Sequence, residues 1–211
     1  MSGTAQPITP PARPGSRSLP LLDPAFVRRA GRATLVAVGT LGLSAVALSL
    51  YFGGAGEIFG PINDALLAAT FALLAPAVVA VRQLARGAAG RWFDIASAAV
   101  LAGIATAAVG NVLLVVGLLP LVGSFVTLGV GALLVVGWTG ALAVIALRHG
   151  VLGRAVGWWA VALVAATVAT AFGTPLSGLG TAELSVVFGI PLLVATVGLL
   201  VTLGRDLLRR T

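Results

Sequence analysis

Charged residues are so sparse along this chain that the gaps between them define its architecture. Uninterrupted charge-free runs cover Ala33–Gly56, Ala65–Val81, Ile95–Leu147, Ala155–Ala182 and Leu184–Gly204. A helix crossing the hydrocarbon layer of a bilayer needs about 20 apolar residues. The run Ile95–Leu147, 53 residues long, must therefore hold two helices. Its natural break is Leu119-Pro120-Leu121-Val122-Gly123-Ser124, where proline ends a helix and Gly-Ser permits a turn. The short run from Ala65 extends backwards through Pro61-Ile62-Asn63-Asp64, with proline in the first turn and Asp64 near the positive helix end. The expectation is an all-α polytopic transmembrane bundle with spans at 33–53, 62–82, 93–118, 122–146, 155–174 and 184–204. Residues 32–211 then form one six-helix transmembrane domain.

Periodicity inside the spans points to how they pack. Helices in lipid associate through small residues and a few interhelical hydrogen bonds. The third span carries Ala99, Gly103, Ala107 and Asn111 at four-residue spacing; the fourth carries Gly123, Thr127 and Gly131, and the fifth Ala162, Ala166 and Thr170. These three spans are expected to form the tight centre of the bundle. Pro76 in the second span and Pro191 in the sixth each free a carbonyl one turn earlier, at Ala72 and Val187, and should kink their helices. Arg82 to Trp92 and Arg148 to Trp158 have the same spacing. That is a faint sign of a parallel repeat, but also what loop arginines and interfacial aromatics produce by themselves.

Arginine distribution sets the expected orientation. All 13 cationic residues are arginine. They lie in the N-terminal arm, in the second and fourth loops and at the C-terminus; the first loop holds Glu57 and Asp64, the fifth Glu183. The positive-inside rule puts every arginine, and both termini, in the cytoplasm. Trp92, Trp158 and Trp159 then mark the inner boundary and Tyr51-Phe52 the outer one. The net charge of +7 is a topology signal on this reading, and nucleic acid is not an expected partner. Residues 1–31 form a Pro/Arg-rich cytoplasmic arm, with six prolines in the first 24 residues, a composition that favours disorder. At its end, Asp23-Pro24 could cap a short helix, Ala25–Arg29, lying on the inner leaflet. The first apolar run is too long for the core of a cleaved signal peptide, so it is expected to be retained.

Composition closes off most chemistry. Only 9% of residues are charged and 59% are hydrophobic, with a mean hydropathy of +1.10; a soluble domain carries about 25% charge. There is no cysteine, hence no thiol nucleophile, disulfide or thiolate metal site. The single histidine, His149, rules out bis-histidine haem and histidine metal triads within one chain. Without lysine there is neither a Schiff base nor a P-loop. No metal, cofactor or enzymatic activity is expected.

A few polar residues remain worth testing. Asn63, Asp64 and Asn111 are the candidate ion or substrate site. Asp64 could equally be an interfacial cap and Asn111 a structural hydrogen-bonding group. Asp94 is expected to pair with Arg91 or Arg154 or to cap its helix, and Trp138 to serve packing. An enzyme would need a cavity grouping two acids, such as Asp94 with Asp206. The leading expectation is a structural or accessory component of a bacterial inner (plasma) membrane, whose partners are the lipid bilayer and other membrane proteins or further copies of itself. The competing one is a small transporter or channel in which Asn63, Asp64 and Asn111 converge on one cavity.

The segment Phe59 to Leu84, with its Gly-Pro-x-Asn-Asp start and Pro76, resembles small uncharacterised six-span membrane proteins of actinobacteria. The likeness extends in hydropathy over the six-span region and implies a multi-pass membrane fold; it carries no functional residue with it.

Overall fold

The computed structural model describes residues 23–119, 121–177 and 185–210. Most of the N-terminal arm, Pro120 and Glu183 lie outside these. Six helices follow in order: α1 (Pro24–Phe52), α2 (Phe59–Ala85), α3 (Gly90–Val115), α4 (Leu121–His149), α5 (Arg154–Ser177) and α6 (Ile190–Arg209). A π-helical turn, Ser185–Gly189, leads into α6. All six are long and apolar enough to cross a membrane. Many of their large side chains, among them Val36, Leu43, Val46, Ile95, Val109, Leu133, Phe172 and Val194, face outward. Exposed apolar area on that scale marks a surface for membrane or protein contact.

Each helix packs against its neighbours in chain order, and α6 packs back against α1. The result is a closed ring of six, in which no helix is central. This corrects the expectation of a tight core built from the third, fourth and fifth spans. The physical reason is that every connection is short, so each helix pairs antiparallel with the next. The contacts record that sense: Thr40 meets Thr70 and Ser44 meets Asn63 between α1 and α2, and Gly103 meets Leu134 while Ala107 meets Gly131 between α3 and α4. Alternation gathers the arginines of the helix ends at one end of the ring. The largest fully buried side chains, including Phe93, Leu142, Ile145, Leu203, Leu207, Val81 and Val156, also lie in that half.

Helix ends differ from the sequence reading by several residues at most termini, and four of the differences bear on the residues singled out there. α1 runs unbroken from Pro24, so no separate surface helix exists over Ala25–Arg29. The Asp23 side chain accepts a hydrogen bond from the Ala25 N–H at 2.9 Å, and Gly31 is buried against α6. α2 begins at Phe59, three residues before the expected 62. Asp64 therefore sits in the second turn, outside the first turn in which the helix dipole acts. α3 stops at Val115 rather than 118, because Gly117 adopts a φ of 73°. The Leu118 N–H then bonds to Leu113 O at 2.9 Å and Gly117 N–H to Leu114 O at 3.0 Å, the paired bonds of a glycine C-cap. Pro191 stands at the start of α6, directly after the π-helical turn Ser185–Gly189, so the helix departs from α geometry in the turn before the proline.

Candidate functional site

The polar candidates separate onto two seams of the ring. On the α1–α2 seam, Ser44 donates its hydroxyl to Asn63 Oδ1 at 2.6 Å, and Asn63 Nδ2 donates to Asp64 Oδ1 at 3.2 Å. Ser44 and Asn63 are buried, while Asp64 is half-buried. Two turns further along α2, the Thr40 and Thr70 hydroxyls share a hydrogen bond of 2.8 Å. The seam is thus a short polar ladder. Antiparallel packing creates it by setting a four-residue step on α1 (Thr40, Ser44) against a seven-residue step on α2 (Asn63, Thr70). Such interhelical bonds are worth roughly 0.6 kcal/mol each on average in membranes, and up to about 1.7.

Asn111 belongs to α3, on the face that meets α4. It is fully buried. Its Nδ2 donates to Ala107 O, one turn back on the same helix, at 2.9 Å, and its Oδ1 has no hydrogen-bond partner among the described residues. Below it, α3 and α4 come into backbone contact. A Cβ on Gly131 would lie 2.9 Å from Ala107 Cβ and 3.0 Å from Gly103 O. Gly103 and Ala107 are buried here, whereas Ala99 is only half-buried. Four-residue steps on a 3.6-residue helix drift by about 40° each, so Ala99 has rotated well away from Asn111. Gly123 and Thr127 are in α4, but their side chains lie outside the described residues. Ala162, Ala166 and Thr170 on α5 are half-buried, and the Thr170 hydroxyl turns back to Ala166 O at 2.8 Å.

Inside the ring, between α2, α3, α4, α5 and α6, there is a cavity of about 70 Å³. Leu74, Val78, Val100, Ile104, Trp138 and Leu199 are among its lining residues, and none of Asn63, Asp64 and Asn111 is. Its two threonines do not turn it polar: the Thr139 and Thr196 hydroxyls donate to Val135 O and Leu192 O of their own helices at 2.8 and 2.7 Å. Trp138 donates its indole N–H to Ser97 Oγ at 3.3 Å, a bond between α3 and α4. An apolar cavity of this size stays dry, since a trapped water needs two or more polar partners.

The acids near the arginine-rich end are tied down individually. Asp94 accepts from Arg82 Nε at 2.7 Å, not from Arg91 or Arg154. Arg82 stands in the last turn of α2, and the short antiparallel link to α3 brings it level with Asp94. Asp206 accepts from Arg210 Nε at 2.9 Å and from the Gly153 N–H at 3.3 Å, which fastens the α4–α5 loop to α6. Each carboxylate thus has its own arginine. No group of three or more metal-ligating side chains occurs among the described residues.

Sequence reasoning missed the contact that closes the ring. A Cβ on Gly31 of α1 would lie 2.9 Å from Gly204 O of α6, and one on Gly204 would lie 3.1 Å from Gly31 O. These are the backbones of the first and last helices in direct approach. Only the similar position of both glycines, about two turns into α1 and about one and a half turns from the end of α6, hinted at it. Compared with known proteins, the chain matches no family model, no curated protein and no solved structure.

Proposed function

We propose that this chain is a non-catalytic component of a bacterial inner membrane, with both termini in the cytoplasm, that acts through its contacts with lipid and with other membrane proteins. The observation that carries this reading is the dry centre of the ring: an apolar cavity of about 70 Å³ with its hydroxyls turned back onto their own helices. A solute path needs polar groups that converge to replace hydration. Here Asn63 and Asp64 are occupied with Ser44 on one seam, and Asn111 lies on another. The orientation rests on the arginines at the helix ends, which the positive-inside rule assigns to the cytoplasm. The competing reading, a small transporter or channel using Asn63, Asp64 and Asn111, draws on the unpartnered Asn111 Oδ1.

Purified protein in proteoliposomes tests the two readings. Proton, sodium and potassium flux should match protein-free vesicles. Flux above that background, abolished by Asp64→Asn or Asn111→Ala, would replace the accessory reading with transport. The natural absence of cysteine makes the orientation test clean. A membrane-impermeant maleimide applied to intact cells should label Glu57→Cys and spare His149→Cys; the opposite pattern reverses the orientation.

A further inference from the structure

The outer wall of the ring carries an open groove between α4 and α5. Gly140 and Ala143 of α4 and Ala165 and Ala169 of α5 floor it, and Val144, Val161, Val164 and Val168 complete it. Small residues on both helices keep their surfaces low there, and the valines beside them make the walls. The groove points towards the arginine-rich end. On α5, Arg154 repeats the seven-residue register of Val161 and Val168, so it continues the same helix face. Trp158, 63% exposed, lies between them. On α4, Arg148 follows Gly140 and Val144 at four-residue spacing. Only the loop 150–153 separates the two helix ends. Neither Arg148 nor Arg154 is within ion-pair distance of a carboxylate among the described residues; the ion pairs there are Arg29–Asp23, Arg82–Asp94 and Arg210–Asp206.

We infer that this groove is a binding site for an anionic phospholipid, with one acyl chain along the α4–α5 groove and the headgroup phosphate at Arg148 and Arg154. Charge complementarity selects the occupant. Two unpaired guanidinium groups at the mouth of an apolar slot match a phosphate above a hydrocarbon chain, and basic sites between helices at the cytoplasmic face bind such headgroups. The length agrees. From Val161 to Ala169 the lined stretch of α5 rises about 12 Å, within the roughly 15 Å hydrocarbon depth of one leaflet. The comparable groove between α2 and α3, lined by Ala65, Ala68, Ala72, Ala108 and Val112, offers no such match, because it lies in the other half of its two helices, ten or more residues from Arg82, Arg86 and Arg91. The assignment to the cytoplasmic leaflet rests on the orientation proposed above; the binding experiment below is done in detergent and does not depend on it.

Native mass spectrometry of the protein in detergent, titrated with dioleoyl phosphatidylglycerol or dioleoyl phosphatidylcholine, tests the site. Wild type should retain the anionic lipid preferentially. Arg148→Gln/Arg154→Gln should weaken its retention about 10-fold or more, because each arginine near a membrane surface contributes a several-fold factor. Arg28→Gln/Arg32→Gln removes the same charge elsewhere at that end and should retain the preference. Equal retention of the two lipids by wild type, or equal losses in the two double variants, overturns the site. Should the groove-mouth variant fail to fold, a phosphatidylglycerol carrying a photoactivatable acyl chain decides on wild-type protein. Adducts on residues 140–144 and 161–169 support the site, and adducts concentrated on α2 and α3 overturn it.

Discussion

Closure of the ring hangs on two glycines, so Gly31→Ala is the most informative single substitution. The new Cβ would meet Gly204 O at 2.9 Å, Leu208 Cγ at 3.0 Å and Leu207 Cβ at 3.3 Å. Leu208 Cγ can rotate away; a helix carbonyl and the Leu207 Cβ cannot, so α1 and α6 must separate by about half an ångström to restore ordinary contact. Overpacking of this kind costs about 1–3 kcal/mol, while replacing glycine by alanine within a helix returns up to about 1 kcal/mol. Gly39→Ala isolates the packing term, because Gly39 lies in the same helix with nothing within 4 Å of its Cβ position. The propensity gain is common to both variants and cancels. The difference between them should be about 1–3 kcal/mol, or roughly 5- to 150-fold in the unfolding equilibrium. Gly204→Ala should fall between the two, since its closest contacts are Leu35 side-chain atoms at 2.9 Å, with Gly31 O further off at 3.1 Å. Unfolding in mixed dodecyl maltoside–dodecyl sulfate micelles, followed by far-ultraviolet circular dichroism, measures all three. Equal midpoints for Gly31→Ala and Gly39→Ala would refute a backbone contact between the first and last helices.

Three further substitutions probe the seams in the same assay. Ser44→Ala strands Asn63 Oδ1 in a buried position and should cost about 1–2 kcal/mol; paired with Asn63→Ala in a double-mutant cycle, it should show a coupling that vanishes if the 2.6 Å bond does not form. Asn111→Leu removes a half-satisfied buried amide of similar shape and should be neutral or stabilising by up to about 1 kcal/mol. A clear loss would mean that Oδ1 has a partner, and would favour the transport reading. Arg82→Gln breaks an ion pair whose side chains are 32% and 36% exposed, so it should cost under about 1 kcal/mol and lose its effect in high salt.

How far the sequence could be read depended on the range over which each signal acts. Run length is local and unambiguous: a 53-residue charge-free stretch cannot be one helix, and the six helices follow from that arithmetic. End positions were less legible, because glycine conformation sets them rather than hydropathy. Gly117 at φ 73° ends α3 although leucine and valine continue around it. Partners were hardest to read. Ser44 lies in an apolar run and looks like any small packing residue until Asn63 is set opposite it. Asp94 had three nearby arginines on the sequence, and only the register of α2 against α3 chooses Arg82.

The same reasoning explains why the polar residues mislead when read along the chain. In an apolar sequence each asparagine or threonine stands out and invites a functional role. The ring shows where their hydrogen bonds go. Thr34, Thr106, Thr139, Thr167, Thr196 and Thr202 each return a bond to the carbonyl one turn earlier, which hides a hydroxyl at no cost to the lipid-facing surface. Ser44, Asn63 and Asp64 satisfy one another across a seam. Among the buried side-chain polar atoms described, Asn111 Oδ1 alone is left over, and it lies off the central cavity. The arginine-rich end presents the opposite case, since Arg148 and Arg154 are charged, unpaired and beside an open groove. Among the described residues, unpaired charge therefore lies at the arginine-rich end of the ring rather than along its axis. On the reading proposed above, the lipid and protein neighbours of the ring are the place to look for what it does.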